Sequence, residues 1–157
     1  MRPFAILIAA VLLAVPVEAG TIAPRPGWAV HETGYGYAEL LGRLKDAVAA
    51  EGMIVVTEAG PTEAAKKRGI TIPGNRVVGV YRNDFAVRAL EASTAAMIEA
   101  PIRFYVTENP DGTATLSYKT PSEVFAPYVA EGGTELTAIA AELDAIFAAI
   151  AARATGG

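Results

Sequence analysis

The stretch PIRFYVTENPDGTATLSYKTP, residues 101–121, decides the fold class, because its central turn fixes the pairing of everything on either side. Two runs that alternate apolar and polar residues, Ile102–Asn109 and Thr113–Lys119, flank Pro110-Asp111-Gly112. That tripeptide suits a type I turn ending on a glycine in the left-handed bulge position. Asn109 then faces Thr113, which sets Phe104 opposite Tyr118 and Val106 opposite Leu116. Arg103, Tyr105 and Thr107 share the other face with Thr115, Ser117 and Lys119. The expectation is an antiparallel hairpin with one core face and one polar, solvated face.

Downstream, Ser122–Tyr128 holds at most one helical turn, broken near Pro127, and Glu131-Gly132-Gly133 reads as a loop. Thr134 then caps a long closing helix with Leu136, Ile139, Leu143, Ile146, Phe147 and Ile150 on one stripe. Upstream, Trp28–His31 is a first strand, and Gly34 and Gly36 punctuate a turn. Tyr37, Leu40, Leu41, Leu44 and Val48 recur at helical spacing until Gly52 stops the helix. Met53–Val56 is a short apolar strand. Pro61, Glu63 and Lys66-Lys67-Arg68 describe a short helix whose charges follow its dipole. Arg76–Arg82 is a third strand in which Gly79 marks a bulge or a close backbone approach. Asn83 or Asp84 caps a further short helix, where Asp84 and Arg88 stand one turn apart. Five strands with an early helix, a late helix and an obligatory antiparallel hairpin predict an α+β fold rather than a doubly wound parallel sheet, with the long helices on one sheet face.

The first nineteen residues bear on location. Arg2, the uncharged apolar run Phe4–Val15 and Val17-Glu18-Ala19 have the form of a secretory signal peptide cut after Ala19. The run is too short for the roughly 20 residues of a spanning helix. The expectation is an exported protein, periplasmic or secreted, with no integral membrane segment after processing. It has a signal peptide over residues 1–19, an extended leader over 20–27 (Thr21–Gly27 carries two prolines) and a single domain over 28–153. Removing Arg2 and Glu18 leaves the net charge at −4. A mildly acidic chain without a basic face is a poor partner for nucleic acid. Cysteine is absent and His31 is the single histidine, so thiol catalysis, thiolate metal sites and c-type haem attachment are excluded, and neither a metal nor a cofactor is expected.

Tyr37–Gly52, Ala65–Gly69, Val77–Tyr81, Ala100-Pro101-Ile102 with the aromatic strand after it, Asp111-Gly112 and Ser117-Tyr118-Lys119-Thr120-Pro121 together resemble the domain of unknown function 302 family. The resemblance spans most of Trp28–Tyr128 and the closing helix. It departs at Tyr81-Arg82-Asn83-Asp84-Phe85, where members more often carry Gly-Asn-Pro. The resemblance implies a β-α-β(4)-α layout similar to TATA-binding-protein-like folds, a curved antiparallel sheet gripping a long C-terminal helix, with small extra helices. It implies no established activity, and a fold by itself supplies none.

Few residues carry chemistry. His31, beside Glu32, is a candidate base. Ser93, Ser117 and Ser122 lack a nucleophile elbow, and Gly34-Tyr35-Gly36 is no nucleotide fingerprint. Lys66-Lys67-Arg68 suits carbonyl capping better than phosphate binding. The better cluster joins Arg82, Asn83, Asp84 and Arg88 to Arg103 and Tyr105, since arginine offers bidentate donors to an anion. Arg82 ends the third strand and Arg103 opens the fourth, so as neighbours their guanidiniums would flank an anion, either Asp84, Glu99 or a ligand. The candidate ligand-binding residues are therefore Arg82, Arg103, Tyr105 and His31. Three functions fit: a non-enzymatic module binding a small anionic ligand or a partner protein, an enzyme acting on a small anionic metabolite with His31 as base and an arginine anchor, and a homodimer joined through the polar hairpin face. The enzyme requires His31 to meet an acid in a pocket shared with Arg82 or Arg103.

Overall fold

The hairpin closes as its turn dictates. In the computed structural model, which describes residues 22–157, Gly112 adopts φ +83°, Asn109 N–H donates to the Thr113 carbonyl at 2.8 Å, and Asp111 accepts from Thr113 N–H at 2.9 Å. The signal peptide expected over residues 1–19 lies outside the described residues. Strands β4 (Ile102–Glu108) and β5 (Thr113–Lys119) pair in the expected register, Phe104 with Tyr118 and Val106 with Leu116.

Around this hairpin β1 (Trp28–Gly36), β2 (Ile54–Ala59) and β3 (Asn75–Tyr81) complete an antiparallel sheet in the order β1-β5-β4-β3-β2. Helix α1 (Tyr37–Ala50) joins the two edge strands, so it must cross the whole sheet. It does so on the face that carries Val78, Val80, Phe104, Val106, Leu116 and Tyr118, and buries Leu40, Leu44, Ala47 and Val48 there. The closing helix α5 (Val129–Thr155) packs beside it with Leu136, Ile139, Leu143, Phe147 and Ile150 buried. Short helices α2 (Thr62–Lys67), α3 (Asn83–Ala92) and α4 (Pro121–Phe125), with 3-10 turns at Ala95–Glu99 and Ala126–Tyr128, fill the connections. The fold is α+β, with a five-stranded antiparallel sheet against a long C-terminal helix.

Polar ties hold the helices together. Arg43 Nε caps the end of α5 by donating to the Ala154 carbonyl at 2.7 Å. Arg88 reaches from α3 to both Glu135 and Glu142 of α5, at 2.8 and 2.9 Å.

Several local expectations need correction. The first strand runs on through Gly34 to Gly36, because β5 continues beside it and Thr33 Oγ1 donates to the Ala114 carbonyl at 2.7 Å. Helix α3 has Arg82 at its N-cap position and no side-chain cap. Asp84 is drawn back to Arg82 at 2.8 and 3.1 Å, so the pairing with Arg88 one turn on does not form. Residues Val129–Gly132 are helical, and the break falls at Gly133 alone, with φ 58° and ψ −146°. Thr107, Thr115 and Ser117, on the face expected to be solvated, are buried. They are short side chains on the central strands, set between larger ones.

Candidate functional site

Strand parity decides which of the predicted residues can meet. Opposed residues in a ladder share a face. His31 pairs with Leu116 and therefore points toward the helices, while Glu32 pairs with Thr115 and points away. The His31 ring stacks on Tyr118 with centroids 6.1 Å apart, its Nε2 is buried without a partner, and burial pushes its pKa below the ordinary 6.5. Arg82, two residues beyond Val80, follows the helix-side parity and lies over the Phe85 ring at 4.3 Å. Its guanidinium holds the Asp84 carboxyl below the usual carboxylate range. Arg103 and Tyr105 project from the opposite face. The structure thus brings Arg103 and Tyr105 together and leaves His31 and Arg82 on the other side of the sheet. The acid, base and anchor that catalysis through His31 requires do not assemble.

The rows of the outer face can be read from the register. Trp28 stands opposite Lys119, and Arg103 opposite Gly79. Continuing the hairpin pairing one residue past Phe104 and Tyr118 sets Arg103 beside Lys119, so Trp28, Lys119, Arg103 and Gly79 form one row across four strands. The next row is Val30, Ser117, Tyr105 and Val77, and the third is Glu32, Thr115, Thr107 and Asn75. Gly79 leaves no room for a side chain: a Cβ there would meet Thr57 Oγ1 and come within 2.8 Å of Pro101 Cγ. The row is therefore walled by Trp28 on one side and by Pro101 and Thr57 on the other.

Against these rows lies a cavity of about 640 Å³, lined by Trp28, Asn75, Val77, Arg103, Tyr105 and Lys119, by Ile102, Phe104 and Tyr118 of the same sheet, and by Glu99, Glu123, Val124 and Pro127. Arg103 is half exposed and makes one loose ion pair, 3.6 Å to Glu99. The other Glu99 oxygen accepts the Tyr128 hydroxyl at 2.8 Å and raises that phenol's pKa. Lys119 makes no ion pair among the described residues, and its ammonium lies 6.0 Å from the Trp28 ring centre. Arg25 approaches the same ring at 5.2 Å. Asn75 donates from Nδ2 to the Tyr105 hydroxyl. Among the described residues no group of three or more acidic or histidine side chains is placed to hold a metal ion.

Sequence reasoning missed Trp28 and Asn75. Lys119 was legible from the hairpin faces, but the neighbourhood of Trp28 depends on β1 joining β5 at the far edge, which local sequence does not express.

The family model for a domain of unknown function, DUF302, matches residues 29–153. The chain belongs to the DUF302 family. Among solved structures it is similar to an uncharacterized conserved DUF302 protein from Bacillus stearothermophilus, with a TM-score of 0.72 at 20% identity, covering 83% of this chain and 99% of that one. No curated protein matches it. At that identity the likeness carries the fold of a DUF302 domain and leaves its chemistry to be argued from the residues. No helix among the described residues is long and apolar enough to cross a membrane.

Proposed function

We propose that this chain is an exported, non-enzymatic binding module that takes up a small organic anion on the open face of its sheet. The observation that carries the reading is the placement of Arg103 and Lys119 side by side on that face, next to Trp28 and under a cavity large enough for a small molecule. Like charges directly opposite in a sheet are unfavourable. Glu99 offsets one of the two cations at 3.6 Å, and Lys119 is left with the face of Trp28. A carboxylate seated between the two heads neutralises the pair, and an apolar or planar body behind it lies against Trp28 and Val77. Such pockets, mostly apolar with a few convergent polar groups, are the usual form of small-ligand sites. Export rests on the N-terminal sequence pattern, and Edman sequencing of the protein from its host should begin at Gly20.

Trp28 is the single tryptophan, so its fluorescence reports on the cavity without background from elsewhere. Titration with small aromatic carboxylates should shift or quench that emission and raise the melting temperature through linkage. Arg103→Gln and Lys119→Gln should abolish both responses. The melting temperature without ligand should stay close to that of the parent, because an exposed pair such as Arg103 with Glu99 is worth at most about 1 kcal/mol. A sharp fall in the ligand-free melting temperature of both variants, with no response to any carboxylate in the parent, would make these cations structural.

A further inference from the structure

In the row next to the cationic one, the outer face holds a buried hydroxyl without a hydrogen-bond partner. Ser117 is 0% exposed, and its Oγ has no hydrogen-bond partner. Its pairing with Tyr105 and Val30 aims it to the same side as Arg103 and Lys119. A buried hydroxyl left unpaired destabilises the folded chain, and on this face Ser117 shares that state with Thr107 alone among the described residues. Thr115, one row on, donates to Asn109 Oδ1 at 3.0 Å, and Asn75 is engaged with Tyr105. Ser117 is separated from the overlying cavity by the side chains around it. The one directly opposite on β4, Tyr105, is half-buried, and its hydroxyl is held by the single bond from Asn75.

Resting on the anion-binding reading above, we infer that Ser117 is the specificity-determining residue of the site, selecting an aromatic carboxylate that carries a hydrogen-bonding group at the far end of its ring. The spacing sets the class. Ser117 and Lys119 are two residues apart on one strand, so their rows are separated by about 7 Å. A single aromatic ring with a carboxylate at one end and a hydroxyl at the other spans that interval. Its carboxylate meets Arg103 and Lys119, its ring lies beside Trp28, and its hydroxyl reaches Ser117 once Tyr105 gives way. The second unpaired hydroxyl of this face, Thr107 Oγ1, is two rows from the cations and beyond the reach of one ring.

The test compares benzoate with 4-hydroxybenzoate, read by Trp28 fluorescence on the parent protein and on Ser117→Ala. One buried hydrogen bond is worth roughly tenfold in affinity. The parent should therefore bind 4-hydroxybenzoate about tenfold more tightly than benzoate, and Ser117→Ala should bind the two equally. The variant's melting temperature without ligand should equal or exceed the parent's, since it loses an unsatisfied group. If the parent binds both compounds equally, or Ser117→Ala retains the preference, the role of Ser117 is overturned while anion binding stands. If neither compound binds the parent, the anion-binding reading falls, and the inference with it. Should Ser117→Ala fail to fold, Ser117→Cys, close in size with a weak donor and acceptor in place of the hydroxyl, is read in the same way.

Discussion

Phe104 and Tyr105 are neighbours in the chain and occupy opposite environments. Phe104 is fully buried, stacked on Phe147 with centroids 4.5 Å apart and edge-on to Tyr118 at 5.0 Å. Truncating it to alanine should cost about 3–5 kcal/mol in urea unfolding. Tyr105→Ala loses the bond to Asn75 and part of a half-buried ring, and should cost roughly 1 kcal/mol. His31 gives a second prediction at this scale. Burial lowers its pKa in the folded state below 6.5, so the unfolded chain binds the extra proton first as pH falls. Stability should be unaffected above 6.5 and should decline as pH drops from there toward the lowered folded value. His31→Leu should flatten that part of the profile, and because the chain has one histidine its NMR titration is unambiguous.

Among the elements, α5 depends on a single backbone angle. Gly133 adopts φ 58° and ψ −146°, in or near a region open essentially to glycine, and it separates the first helical turn from the long stretch that fills the core. Nothing lies within 4 Å of where its Cβ would be, so a substitution there acts through the backbone alone. Gly133→Ala should destabilise the protein by about 1–3 kcal/mol, as measured by chemical denaturation. Gly79 shows the contrary case. Its strand conformation is ordinary, and what excludes a side chain is Thr57 across the pairing with β2, whose register shifts between Val55 and Thr57, together with Pro101. Gly79→Val should therefore destabilise through overpacking, by about 1–3 kcal/mol, whereas Gly112→Ala should act only through its positive φ. The sequence marked both glycines as special; only the contacts separate their reasons.

For the whole molecule, the strand order predicts a gradient of stability. Strands β3, β4 and β5 are paired on both sides and packed under α1 and α5, while β2 is an edge strand with Ile54 and Val56 exposed. Amide hydrogen exchange should be slowest in β4 and β5 and fastest in β2 and α2, which has no buried residue. Arg88 binds α3 to α5 through Glu135 and Glu142, lowering the Glu142 carboxyl's pKa. Protonating Glu142, which takes a pH below its ordinary 4.5, should loosen α3 before the sheet opens, and amide exchange followed as pH falls through that range should show earlier protection loss in Asn83–Ala92.

Periodicity and turn chemistry are local, and what depends on them was legible in the sequence. The Pro110-Asp111-Gly112 turn set the hairpin register, a two-residue alternation set its faces, and a stripe from Leu136 to Ile150 set the buried side of α5. The α+β class and the sharing of one face by Arg103 and Tyr105 follow from those patterns, and the family was legible from separate motifs such as Ser117-Tyr118-Lys119-Thr120-Pro121. Strand order is not local: β1 closes on β5, and this places Trp28 beside Lys119 although ninety residues of chain lie between them. The same arrangement sends His31 to the helix side and Glu32 to the other, so two adjacent residues that read as an acid–base pair are divided by the pleat of the strand. Tertiary structure also decided that Ser117 is buried without a partner, because burial belongs to the neighbours that stand over a side chain and cannot be read from its own identity.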